Sequence, residues 1–191
     1  MYLVIGLGNP GDEYKNTKHN IGREIVEKWA KKNDLGDFAF DKKHNALVAQ
    51  GKIDKEKTVA ALPETFMNKS GLAVFALASY YKVKPVQIFV VHDDIDLPVG
   101  RIKLSFAKNS AGHKGVEHVT KYLKTTAYWR VRIGIGSAAK KKTKQAMDVV
   151  LKKFSAKEEL DIKKAVKKAL EALTSAVAES PEKAMSIYNQ S

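Results

Sequence analysis

Four polar residues interrupt apolar stretches of this chain, and their types suit acyl chemistry. Asn9 follows the apolar run Leu3-Val4-Ile5 and the turn Gly6-Leu7-Gly8. His19 precedes a helical pattern, Asn68 precedes an apolar one, and Asp93 follows residues 86–91, the most hydrophobic strand-like segment. A histidine with a carboxylate makes a general-base pair, in which the acid sets the imidazole tautomer and stabilises the imidazolium. Asparagine amides can fix a substrate or donate to a developing oxyanion. Each residue also has a plain structural use. Asn9 can serve the turn, Asn68 or Ser70 a helix start, Asp93 a cap, and His19 a surface loop.

These residues need a scaffold that brings them together. Leu3 to Ile5 reads as a buried strand, and Gly6, Gly8, Asn9, Pro10 and Gly11 end it in a tight turn. Ligands bind at that edge of an open α/β sheet. A polar loop with Tyr14 and His19 follows. Ile21, Ile25, Val26 and Trp29 then recur at helical spacing. If the first strand and the strand over 86–91 are parallel neighbours, Asn9 and Asp93 emerge on one edge.

The rest of the chain alternates. Strands are expected over 46–53 and 58–62, joined by a turn at 54–57. Residues 72–81 are apolar nearly all round and read as a buried helix. A strand with one wet face is expected over 101–106, then a loop over 107–115, a short helix over 116–123 and a strand over 129–135. The basic run Lys140-Lys141-Lys142-Thr143-Lys144 leads into a helix over 145–153. Ser155 and Glu158 have capping-box spacing ahead of a helix with Ile162, Val166, Ala169, Leu170, Leu173 and Val177 on one face. Ser180-Pro181 opens a last short helix. The expected fold is a single α/β domain spanning 1–191. It is a three-layer sandwich with a central mixed, mostly parallel sheet flanked by helices. Residues 140–155 form a basic flap and 156–191 the C-terminal helices.

Other chemistries fit less well. Gly6 to Gly11 formally matches the dinucleotide pattern G-x-G-x-x-G, but Pro10-Gly11 makes a turn where that fold opens a helix on the pyrophosphate. No G-x-S-x-G elbow and no phosphate-binding Walker pattern is present. His92-Asp93-Asp94 with Asp96 offers metal-ligand types without the spacing that supports a site, so no metal and no cofactor is expected. The chain has no cysteine, which removes thiolate chemistry and suits the cytoplasm. Met1 leads directly into a strand, and no apolar run reaches membrane-spanning length. The 34 Lys and Arg against 21 Asp and Glu leave a net charge of +13, which points to a polyanionic partner, nucleic acid first.

Several blocks together carry a resemblance. Gly6-Leu7-Gly8-Asn9-Pro10-Gly11, Tyr14, His19-Asn20-Ile21-Gly22, Phe66-Met67-Asn68-Lys69-Ser70-Gly71, His92-Asp93-Asp94-Ile95-Asp96-Leu97-Pro98 and Arg132-Ile133-Gly134-Ile135-Gly136 occur in order. The set resembles bacterial-type peptidyl-tRNA hydrolase from Met1 to about Phe154, and more loosely beyond Glu158. That family hydrolyses the ester between a peptide and the 3′ ribose of tRNA, recycling tRNA after ribosomal drop-off. The resemblance implies that His19 activates water and that Asp93 holds it in its basic form. It implies that Asn9 and Asn68 bind the peptide and the 3′ end, and that Tyr14, Phe66 and Met67 line the cleft. It also implies a monomer with peptidyl-tRNA as partner.

The chain departs from the family at two places. Lys114 stands where the family shows asparagine; lysine donates but does not accept, so it suits a phosphate or ribose contact. Ser105 stands where the family often carries a basic residue, leaving Lys103, Lys108 or Arg132 to supply that charge. The competing reading from another class is an RNA-binding protein of the same fold without catalysis. Retention of His19, Asn9, Asn68 and Asp93 argues against it.

Overall fold

The computed structural model describes residues 1–136 and 149–190. The lysine run 140–144 and residues 145–148 of the helix expected over 145–153 lie outside the described residues; of its described part, 149 and 150 are helical and 151–153 are not.

Seven strands form one sheet in the order β2-β3-β4-β1-β5-β7-β6. They are β1 (Tyr2–Gly6), β2 (Ala39–Asp41), β3 (Ala46–Ile53), β4 (Glu56–Pro63), β5 (Ile88–Pro98), β6 (Ile102–Phe106) and β7 (Trp129–Gly136). The four central strands β4, β1, β5 and β7 are parallel, while β2, β3 and β6 add antiparallel pairs at the two sides. The expected mixed, mostly parallel sheet is therefore present, and β1 and β5 are direct neighbours with Gly6 opposite Val91.

Five described helices cover both faces: α1 (Ile21–Lys32), α2 (Ser70–Tyr80), α3 (Lys114–Leu123), α4 (Ala156–Ala178) and α5 (Pro181–Tyr188). Alternation along the strands makes two cores. Val4, Phe89, Val91, Val131 and Ile133 face α1, α4 and α5, joined by Trp29, Ile162 and Leu173. Leu3, Ile5, Ile88 and Val90 face α2 and α3, joined by Val74, Leu77, Val116 and Val119. The Trp29 indole donates to Thr174 Oγ1 at 3.0 Å, tying α1 to α4. The box at Ser155 and Glu158 and the Ser180 cap, whose Oγ accepts from Lys183 N at 3.0 Å, form as expected.

Three local expectations are corrected. β5 does not stop at Val91; it runs through the polar stretch to Pro98, because His92, Asp93 and Asp94 pair with Arg132, Ile133 and Gly134 of β7. The α2 helix begins at Ser70 and is not buried all round: Leu72, Phe75 and Tyr80 lie on an exposed face while Val74 and Leu77 meet the sheet. The short edge strand β2 went unanticipated, since three residues carry too little periodicity to read.

One glycine sets the approach of α1. A Cβ at Gly22 would overlap the Val91 carbonyl oxygen, so the first turn of α1 rests directly on the β5 backbone. That contact brings the His19 loop down to Asp93. Gly22→Ala is expected to lift α1, costing about 1–3 kcal/mol of stability. The melting temperature should fall by about 2–4 °C per kcal/mol in thermal denaturation, and catalytic turnover should fall with it. An unchanged melting curve would show that the helix can shift freely.

Candidate active site

The carboxyl ends of β1, β4 and β5 converge, which is where an α/β sheet binds its ligand. Asn9 lies just beyond β1 and is 8% exposed. Its Oδ1 accepts from Met67 N at 2.8 Å, so the turn after β4 is pinned to the turn after β1. Asn20 grips the Asn9 backbone from both sides: Asn9 N donates to Asn20 Oδ1, and Asn20 Nδ2 donates to Asn9 O, both at 2.9 Å. With its carbonyl used by Met67, Asn9 has its amide NH2 left to offer a ligand. Arg23 adds a further brace, donating to Pro63 O at 3.0 Å and pairing with Glu64 at the end of β4.

Asp93 is almost fully buried, and its Oδ1 accepts from two imidazoles, His19 Nδ1 at 2.8 Å and His113 Nε2 at 2.9 Å. Burial alone would raise the Asp93 carboxyl. The two imidazoles outweigh it and hold the group well below the usual carboxylate range. An ionised carboxylate only accepts, so His19 Nδ1 carries a proton and its Nε2 is the basic nitrogen. The His113 tautomer is set independently: its Nδ1 accepts from Val116 N at 3.3 Å in the first turn of α3, so Nε2 carries the proton aimed at Asp93. His92 lies beneath, with Nδ1 donating to Asp93 O at 2.6 Å and its ring 4.7 Å from that of His113. Burial, with His113 and Arg130 nearby, pushes the His92 pKa well below the usual value, so it is a neutral support.

Tyr14 and Phe66 meet edge to face at 6.4 Å between ring centroids, and Phe66 is 54% exposed. Met67 is buried between the turn and α3, where a Cβ at Gly115 would overlap its sulfur. Asn68 is exposed in the same short turn, Met67–Lys69. The fold thus brings Asn9, His19, Asp93, Phe66, Met67 and Tyr14 to one edge, with Asn68 beside them.

It does not bring the three basic candidates into contact with that group. Lys114 is exposed on α3 and pairs with Glu117 at 3.4 Å. Arg132 donates to Asp94 Oδ2 at 2.6 Å and to Ser105 Oγ at 3.4 Å. Lys103 is exposed opposite Arg132 in the β6–β7 ladder. The sequence reading missed His113, Asn20 and Arg23. His113 stands next to Lys114 in the loop expected over 107–115, but nothing local says that its ring reaches Asp93.

His19, Asp93 and His113 have donor atoms within 4.8 Å of one another, close enough for a metal. The Val116 N–H on His113 Nδ1 argues otherwise, because it makes the nitrogen facing Asp93 a proton donor and not a lone-pair ligand. Asp94, of the His92-Asp93-Asp94 and Asp96 group, is occupied by Arg132 and by Asp96 N.

An α/β sheet with a histidine–aspartate pair and amides at its carboxyl edge is an arrangement suited to α/β enzymes. Comparison with known proteins narrows this. The peptidyl-tRNA hydrolase family model matches residues 3–191. A peptidyl-tRNA hydrolase of Aquifex aeolicus is 41% identical over 189 residues, covering 98% of this chain and 96% of its own. One from Rickettsia prowazekii is 43% identical over 158 residues, 83% of each chain. The crystal structure of peptidyl-tRNA hydrolase from Acinetobacter baumannii superposes with a TM-score of 0.92 at 30% identity, covering 100% of this chain and 95% of that one. The chain belongs to the peptidyl-tRNA hydrolase family.

Proposed function

We propose that this enzyme hydrolyses the ester between the peptide and the 3′ ribose of peptidyl-tRNA, with His19 as general base. The observation that carries this reading is the 2.8 Å contact of His19 Nδ1 with buried Asp93, which leaves Nε2 as the basic nitrogen. His19 Nε2 takes a proton from water as its oxygen adds to the ester carbonyl. The same proton then goes to the departing ribose oxygen, giving a free tRNA hydroxyl and a carboxylic acid that releases its proton to solvent to become the carboxylate. An ester has a good enough leaving group for this route without a side-chain nucleophile. Asn9 Nδ2 and the Asn68 amide donate to the carbonyl as charge develops on it. Tyr14 and Phe66 offer faces on which bases of the single-stranded 3′ end stack. His113 and Asn20 hold Asp93 and Asn9 in place.

The reading is tested by peptide release from diacetyl-lysyl-tRNA, whose blocked amines keep the ester as the reacting bond. Catalytic release supports it. Tight tRNA binding without release would favour the non-catalytic RNA-binding reading.

The charge of +13 serves the tRNA body. The run at Lys140, Lys141, Lys142 and Lys144 is proposed to meet backbone phosphates, joined by Lys103, Lys114 and Arg132. The enzyme acts as a monomer in the cytoplasm in this reading; among the described residues no helix is long and apolar enough to cross a membrane. Neutralising Lys140, Lys141 and Lys142 should weaken full tRNA and reduce the log–log salt slope by about 0.7–0.9 per lost phosphate contact. A short peptidyl-CCA substrate should be nearly unaffected. Equal losses on both substrates would count against the phosphate role.

A further inference from the structure

The loop that carries His19 is held from outside the sheet. Residues 152–158, ahead of and entering α4, run beside it. Lys18 N donates to Lys152 O at 2.9 Å, and Thr17 and Lys153 form an isolated antiparallel bridge. Lys18 itself is a buried lysine, its side chain 9% exposed. Its ammonium lies 2.6 Å from Glu158 Oε1 and 5.3 Å from the centre of the Phe154 ring. The other Glu158 oxygen accepts from Ser155 N at 2.8 Å and Ser155 Oγ at 2.9 Å. One carboxylate therefore closes the cap of α4 and clasps the residue next to His19, across 140 positions of sequence.

A lysine taken out of water is costly unless it is paired, and pairs of this kind add little to net stability. Such a pair has more effect on where its neighbours sit. Here the neighbour is His19, whose bond to Asp93 depends on the height of its loop. Lys18 is too enclosed to serve a phosphate.

We infer that Lys18 and Glu158 are positioning residues for the reaction: their ion pair fixes the His19 loop against the start of α4, so that the imidazole keeps its place on Asp93. The inference rests on His19 being the base. It gives the C-terminal helix a part in catalysis that touches no substrate.

Four variants test it, each assayed well below its own melting temperature, on full peptidyl-tRNA and on a short peptidyl-CCA substrate. Lys18→Met keeps the stem over Phe154 and removes the charge. Glu158→Gln keeps an acceptor for the Ser155 cap and breaks the ion pair. The double variant joins the two, and Lys18→Arg restores the charge. Small displacements at a reacting centre are amplified in rate, so either single change should lower kcat by about tenfold. KM and tRNA affinity should stay near the parent's on both substrates. The double variant should lose no more than the worse single, and Lys18→Arg should recover most of the rate.

Parent-like kcat in folded Lys18→Met, or losses that multiply in the double variant, would overturn the clasp. A loss confined to KM for full tRNA would overturn it in favour of a phosphate contact. His19→Ala run alongside separates the two levels. If it retains turnover, the assignment of the base has failed. If it is dead while the clasp variants are normal, only the clasp has failed.

Discussion

His19→Ala is expected to reduce peptide release by about 10²–10⁴, the usual contribution of a positioned base, with tRNA affinity within a few-fold of the parent. The geometry explains why the loss falls on turnover. His19 Nδ1 is committed to Asp93 and the ring is only 13% exposed, so it presents one basic nitrogen and little binding surface. Its removal leaves Asn9 pinned by Met67 and Asn20, because those bonds do not pass through the imidazole. Single-turnover release and equilibrium tRNA binding measure the two effects separately. Near-normal turnover in a folded variant would sink the assignment, and a parallel loss of tRNA affinity would make His19 a binding residue.

Asp93→Asn has the second largest expected effect. Turnover should fall, because the imidazolium that forms on His19 as it takes the water proton loses the anion that stabilises it. The tautomer adds to the loss: an asparagine that turns its NH2 toward Nδ1 draws the proton of His19 onto Nε2 and removes the base altogether. The carbonyl orientation can still serve both rings, since His19 and His113 share the single oxygen Oδ1. Rate profiles of kcat/KM for parent and variant decide the matter. Superimposable curves would reduce Asp93 to a buried structural acceptor.

These expectations give His113 a definite place. Its Nδ1 is turned to the start of α3, so it brings a proton to Asp93 whatever His19 does. Asp93 thereby keeps one partner while His19 cycles between its neutral and protonated forms.

What the sequence determined by itself is local. Apolar spacing from Ile21 to Trp29 specified α1, the 46–62 stretch specified a hairpin, and Ser155 with Glu158 and Ser180 with Pro181 specified two helix starts. Such signals lie within a few residues of one another and depend on backbone preferences that neighbours set. The motif blocks also carry the family's signature in the sequence itself. The partnerships that make the site were decided only by tertiary structure. His19 meets Asp93 across 74 positions, Asn20 grips Asn9, His113 turns back onto Asp93, and Lys18 is buried against Glu158. So was the course of β5 through His92, Asp93 and Asp94, polar residues that the β7 ladder holds extended. These features follow from sheet register, from the close seat of Gly22 on Val91 and from the turn of each ring toward a donor. They depend on which distant groups share a space, and no residue states that in its own neighbourhood of the chain.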